Sequence, residues 1–80
     1  MHYVYLIESA VKDGVRYTGF TGDLRQRMRE HNAGKSVSTA GSRPWRLVTY
    51  LAFSTRSQAL NFERYLKSGS GHAFARKRLW

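Results

Sequence analysis

The sequence predicts a small α/β protein: a three-stranded, mostly antiparallel sheet flanked by helices, in the order ββαβαα. Three observations predict it. Two tyrosine-bearing apolar runs, Tyr3–Ile7 and Val15–Gly19, flank a turn signal at Lys12-Asp13-Gly14. A third such run spans Trp45–Phe53. Apolar residues recur at helical spacing from about Asp23 to His31 and from about Arg56 to Lys67.

Residues 3–8 are β-branched, aromatic and apolar almost without a break, which suits a strand covered on both faces. Tyr3, Tyr5 and Ile7 share one face of it, and Val15, Tyr17 and Gly19 share one face of the return strand. Thr21–Asp23 can cap the first helix, and Asn32-Ala33-Gly34 ends it. Residues 35–44 are mostly small and polar and read as an exposed loop, either substrate-facing or a plain connector. Leu47, Val48, Tyr50, Leu51 and Phe53 make the third strand. Thr55 with Gln58 resembles a capping box at the start of the second long helix. Ser68-Gly69-Ser70-Gly71 breaks that helix, and a short basic helix from about His72 to Leu79 follows. Eighty residues without an internal repeat read as one domain, 1–80.

Fourteen basic residues face five acidic ones, for a formal net charge of +9, and ten of the fourteen are arginine. Arginine's flat fork suits phosphate oxygens and stacks on bases, so a polyanionic partner, most often nucleic acid, is the expectation. A basic surface without a ligand is the plain alternative. There is no cysteine, which excludes disulfides and thiolate metal sites and is compatible with a reducing cytosol. No signal peptide and no membrane span are expected.

The first helix carries the main functional clue. At about 100° per residue, Leu24 and Met28 define its buried stripe. His31 falls almost behind Leu24, and Arg27 sits at the edge of the same stripe, while Arg25, Arg29 and Glu30 point elsewhere. Burying an unpaired guanidinium is costly, so Arg27 is expected to line a cleft. Snorkelling from the core edge to water is the alternative. On the second long helix, Glu63 falls within the stripe formed by Ala59, Phe62 and Leu66. The other four acids have ordinary roles: Glu8 ends a strand, Asp13 makes a turn, Asp23 caps a helix and Glu30 faces solvent. Glu63 is either one half of a buried salt bridge, to Arg27 or Lys67, or the ligand of a magnesium-like ion. Tyr5 and Tyr17 stand on adjacent strands, where side chains of one face meet. They are either core residues with hydroxyls satisfied at the rim or, with Arg27, His31 and Glu63, parts of a site for phosphodiester hydrolysis.

Those residues carry a resemblance. The chain resembles a GIY-YIG nuclease domain, the module of some homing endonucleases and of the N-terminal half of the bacterial excinuclease C subunit. Tyr3-Val4-Tyr5 stands for Gly-Ile-Tyr and Tyr17-Thr18-Gly19 for Tyr-Ile-Gly. Arg27 lies eight residues after Gly19, His31 four further on, and Glu63 matches the metal-binding glutamate. The likeness covers nearly the whole chain and is nearest to the small single-domain bacterial members. It implies the GIY-YIG nuclease fold and a metal-dependent DNA endonuclease acting on structured or damaged DNA in repair or recombination. Tyr5 is implied as general base, and Tyr17 as holding the nucleophile or scissile phosphate. His31 would bond a tyrosine hydroxyl, and Arg27 would be the electrophilic helper. Glu63 would be the only protein ligand of one Mg or Mn ion. A bacterial cytosol or nucleoid location goes with that reading.

Two departures, Tyr3 for glycine and Thr18 for isoleucine, fall on scaffold positions. A late polar residue, often asparagine in relatives, has no evident match among Lys67, Ser68 and Ser70. Among the remaining cations, Arg25, Arg29, Lys35, Arg43 and Lys67 are the candidate contacts to nucleic acid. DNA is the expected partner, with RNA open beside it and no protein partner or membrane expected. The rival is a non-catalytic nucleic-acid-binding module on the same fold, supported by the charge and eleven aromatic residues. A membrane-docking protein ranks last for want of a strongly amphipathic basic helix.

Overall fold

The computed structural model describes residues 1–80. The elements run β1 (His2–Ser9), β2 (Arg16–Thr21), α1 (Leu24–Ala33), α2 (Val37–Ala40), β3 (Trp45–Phe53), α3 (Arg56–Leu66) and α4 (Gly69–Arg78). The sheet order is β2-β1-β3 with both pairings antiparallel, so β1 is the central strand. That position explains its unbroken apolar run: Val4, Tyr5, Leu6 and Ile7 are each at most 1% exposed.

Alternation along β1 divides the core in two. Val4 and Leu6 pack with Ala59 and Leu66 of α3 and Ala75 of α4. Tyr5 and Ile7 pack with Trp45, and Leu24 and Met28 of α1 close over them with Tyr17. Helices therefore cover both faces of the sheet, and each fully buried aliphatic side chain contributes on the order of 1.5–3 kcal/mol.

The hairpin turns at Gly14, whose φ of 75° is the left-handed conformation that favours glycine. Val15 belongs to this turn rather than to β2, its amide bonded to the Lys12 carbonyl. At the other end β2 extends past Gly19 to Thr21, because its pairing with Tyr3 continues that far. Asp23 caps α1 by accepting from the Gln26 amide at 3.1 Å, and Gly34 stops it at φ 78°. At the start of α3 the Thr55 hydroxyl accepts from the Gln58 amide. The Gln58 side chain returns to that hydroxyl rather than to the Thr55 amide, so half of the predicted capping box forms.

Two expectations need correction. Residues 35–44 are not simply an exposed loop. They hold the single turn α2, and Thr39 within it is only 1% exposed. The Trp45 indole fastens this turn by donating to the Thr39 carbonyl at 2.8 Å. The Ser68–Gly71 stretch does not separate two helices at length: Ser68 caps α4 by accepting from the Gly71 amide. Gly71 is buried where α4 crosses the end of α3, and a Cβ there would strike the Tyr65 carbonyl. Gly71 is needed for close helix approach, while Gly69 stands in open space, and α4 begins at Gly69 and not near His72. No helix is long and apolar enough to cross a membrane.

Candidate active site

The site begins with Tyr5, in the middle of the central strand. Tyr5 pairs across the ladder with Gly19, and its phenol lies over that glycine. A Cβ at position 19 would collide with the phenol carbon and oxygen, so glycine there is a space requirement for the tyrosine. The Tyr5 hydroxyl reaches two residues of α1. It accepts from Arg27 Nε at 3.3 Å and lies 2.8 Å from His31 Nε2.

His31 has no exposed surface, and its Nδ1 lies 2.7 Å from the Thr39 hydroxyl. That hydroxyl donates to the Ser36 carbonyl at 3.4 Å. Assigning protons from this network gives Nδ1–H donating to Thr39 and a bare Nε2 accepting from Tyr5 O–H. Burial, with the Arg27 charge beside it, holds the imidazole below its ordinary pKa, which keeps it neutral and able to accept. Burial raises the Tyr5 phenol above its ordinary value. The Arg27 hydrogen bond and charge work against that rise, while Tyr17 and Glu63 add to it.

Tyr17 completes the aromatic wall, its ring 5.4 Å from His31 and 6.4 Å from Tyr5. Arg27 is 30% exposed in its side chain and bridges inside to outside. Its Nε points to Tyr5, and its Nη1 pairs with Glu30 at 3.0 Å. The Tyr5 and Glu30 bonds hold its guanidinium firmly protonated. Arg27 lines none of the three surface concavities. Glu30 also departs from the expectation of a free solvent-facing acid. The Arg27 and Gln26 hydrogen bonds hold its carboxyl low.

Glu63 is 20% exposed in its side chain and pairs with Lys67, which is 56% exposed, at 3.2 Å. The alternative pairing with Arg27 does not occur. Could this donor set take a divalent ion? No cluster of three or more His, Cys, Asp or Glu residues exists, so no all-protein cage of the zinc kind is built. A single hard carboxylate, held half-buried and neutralised only by an ammonium at the rim, does suit a magnesium-like ion that keeps its waters.

The five expected nucleic-acid contacts are all exposed, but they do not converge. Arg25 and Arg29 flank a concavity of about 680 Å³ that also holds Tyr3 and Tyr50. Lys35 shares a smaller one with Arg29. Arg43 rests against Gly34 at the C-terminal end of α1. Lys67 stands on the opposite helix layer. Of the late polar candidates, Lys67 holds Glu63, and the Ser68 hydroxyl is occupied by the Tyr65 carbonyl and the α4 cap. Sequence reasoning missed Thr39, which orients His31, and Asn32, whose amide brackets the Trp45 backbone and ties α1 to β3.

A family model for the GIY-YIG catalytic domain matches residues 1–77. The chain belongs to the GIY-YIG catalytic domain family. It is 47% identical over 68 residues to a UPF0213 protein of Haloquadratum walsbyi, covering 84% of this chain and 74% of that one. It is 37% identical over 67 residues to the UPF0213 protein YazA of Bacillus subtilis, covering 82% and 66%. The solution NMR structure of a UPF0213 protein from Bacillus halodurans is similar at a TM-score of 0.57 and 37% identity, over 95% of this chain and 82% of that one. GIY-YIG membership supports a nuclease-like role, and nucleases of the family generally use a divalent metal ion.

Proposed function

We propose that residues 1–80 act as a single magnesium-dependent endonuclease domain. It hydrolyses phosphodiester bonds in DNA, with structured or damaged DNA of repair or recombination as substrate, in the cytosol or nucleoid. One observation carries this reading. A buried chain of hydrogen bonds runs Tyr5–His31–Thr39, with an arginine fixed on the phenol oxygen. Any buried phenol needs a partner, but this one is paired with an imidazole and a guanidinium, groups able to take a proton and to hold negative charge, rather than with a backbone carbonyl.

In this reading the Tyr5 oxygen takes a proton from the attacking water as its own proton passes to His31 Nε2. The relay removes the need for a standing tyrosinate, which burial disfavours. The Thr39 hydroxyl holds the ring so that Nε2, and not Nδ1, faces Tyr5. Arg27 stabilises the negative charge growing on the phosphate, and its Glu30 partner fixes where the fork points. Tyr17 holds the water or the scissile phosphate against the aromatic wall. Glu63 is the residue that would hold the divalent ion, and that ion would supply positive charge beside the leaving oxygen.

A second reading, a nucleic-acid-binding module without catalysis, is favoured by the same raised Tyr5 pKa, since burial keeps the phenol protonated and withholds the tyrosinate form of the base. Incubation with branched and single-stranded DNA, in magnesium and in chelator, separates the two. Magnesium-dependent nicking that chelator abolishes is the expected result. Binding across the panel with no cleavage in magnesium or manganese would leave the module reading.

A further inference from the structure

At the β2 edge of the sheet, towards the α3–α4 layer, lies a concavity of about 340 Å³ in which the proposed chemistry uses no residue but Tyr17. Arg16 and Tyr17 of β2, Lys67 after α3, His72 and Arg76 of α4, and Trp80 line it. No Asp or Glu side chain lines it. His72 and Arg76 are one helical turn apart and so share a face of α4. The Arg16 guanidinium carbon lies 4.8 Å from the centre of the Trp80 ring, a cation–π stack that fixes the plane of its fork. Only Nε of that fork reaches a carboxylate, Glu8 at 3.5 Å, which leaves its outer nitrogens for another acceptor.

Three cations and an imidazole meet in one concavity; Glu8 and Glu63 pair with Arg16 and Lys67 from outside its lining, and Arg76 has no ion-pair partner, so the net potential there is positive. The fixed Arg16–Trp80 pair adds a flat surface suited to a base. The volume is at the small end of ligand cavities. The cleft also neighbours the candidate site. Tyr17 belongs to both, and Lys67 in its wall is the ion-pair partner of Glu63.

We infer that this cleft is a nucleotide subsite. It would seat the nucleotide flanking the scissile phosphate, with the phosphodiester on Arg76 and His72 and the base against the Arg16–Trp80 stack. The flanking position rests on the nuclease reading; the binding itself does not.

The test is a titration of a fluorescent single-stranded oligodeoxynucleotide into the intact chain, in chelator, at several salt concentrations. Arg76→Ala should weaken binding about threefold to tenfold and flatten the slope of log affinity against log salt by about 0.7, the loss of one phosphate contact on a single strand. Arg76→Lys should restore most of the slope. The oligonucleotide should quench tryptophan emission. Trp80→Phe should remove the quench while buried Trp45 still reports a folded core. An abasic strand of equal length should keep the Arg76-dependent slope without the quench, and equal quenching by it would overturn the base-stacking half of the inference. An unchanged slope and affinity in Arg76→Ala would overturn the subsite. Chelator keeps the two readings apart. A chain that binds here yet never cleaves sinks the nuclease reading alone. Magnesium-dependent cleavage whose KM ignores Arg76→Ala sinks the subsite alone.

Discussion

Replacing Tyr5 by Phe removes one oxygen and leaves the ring, so no cavity opens. That oxygen lies between His31 Nε2 at 2.8 Å and Arg27 Nε at 3.3 Å. The two partners respond differently. Arg27 is 30% exposed in its side chain and can turn to water, so its loss adds little. His31 is fully buried, and its Nε2 would have no acceptor role left and no water to reach. An orphaned buried polar group costs about 1–3 kcal/mol. At about 2 kcal/mol, a domain of this size loses about 8–16 °C in Tm. Thermal melts by circular dichroism measure that loss. Nicking of branched DNA, assayed below both melting temperatures, should disappear in the same variant. An unchanged melt would show that the Tyr5–His31 bond does not hold the fold. Undiminished nicking would refute the proton relay through Tyr5.

Arg27→Ala should lower cleavage by about two to three orders of magnitude, the scale of losing one transition-state donor, as single-turnover rates would show. Arg27→Lys should rescue it poorly, because an ammonium cannot bond Tyr5 and Glu30 together as the fork does. The His31 pKa is depressed in the folded state. Its contribution to stability is therefore fully present above the ordinary value of 6.5 and is lost as pH falls through the folded value. Melting temperature should accordingly drop on the acid side of 6.5 in wild type. His31→Gln should flatten that acid limb, and an equally steep limb in the variant would assign the effect to other groups.

The sheet, the long helices and four members of the site could be read directly because each obeys a local period. Tyr5 and Tyr17 stand on alternating strands, and Arg27 and His31 break a helical stripe where an apolar residue is due. Thr39 could not be read this way. It lies in a small polar stretch without period, and its place is set by the Trp45 indole and the His31 ring, both distant in sequence. Glu30 looks like any solvent-facing acid until Arg27 is seen to turn towards it. Gly69 and Gly71 carry the ordinary signature of a helix break. The actual use of Gly71, letting α4 cross the end of α3, depends on a neighbour that the local sequence does not show. The cleft residues Arg16, His72 and Arg76 each read as solvated surface, and only the placement of α4 near β2 brings them together.

Glu63→Gln tests the central claim most directly, because it separates a metal-dependent enzyme from a binder on the same fold. The Glu63 partner, Lys67, is 56% exposed, so losing the ion pair strands no buried charge. It costs at most about 1 kcal/mol, and the melt should move by no more than about 8 °C. Gln keeps the shape and removes the charge that a hard divalent cation requires. Magnesium-dependent nicking of branched DNA by Glu63→Gln is the measurement, with the melt and DNA affinity as controls. The account predicts loss of nicking with near-native melt and affinity; nicking at the wild-type rate would contradict it.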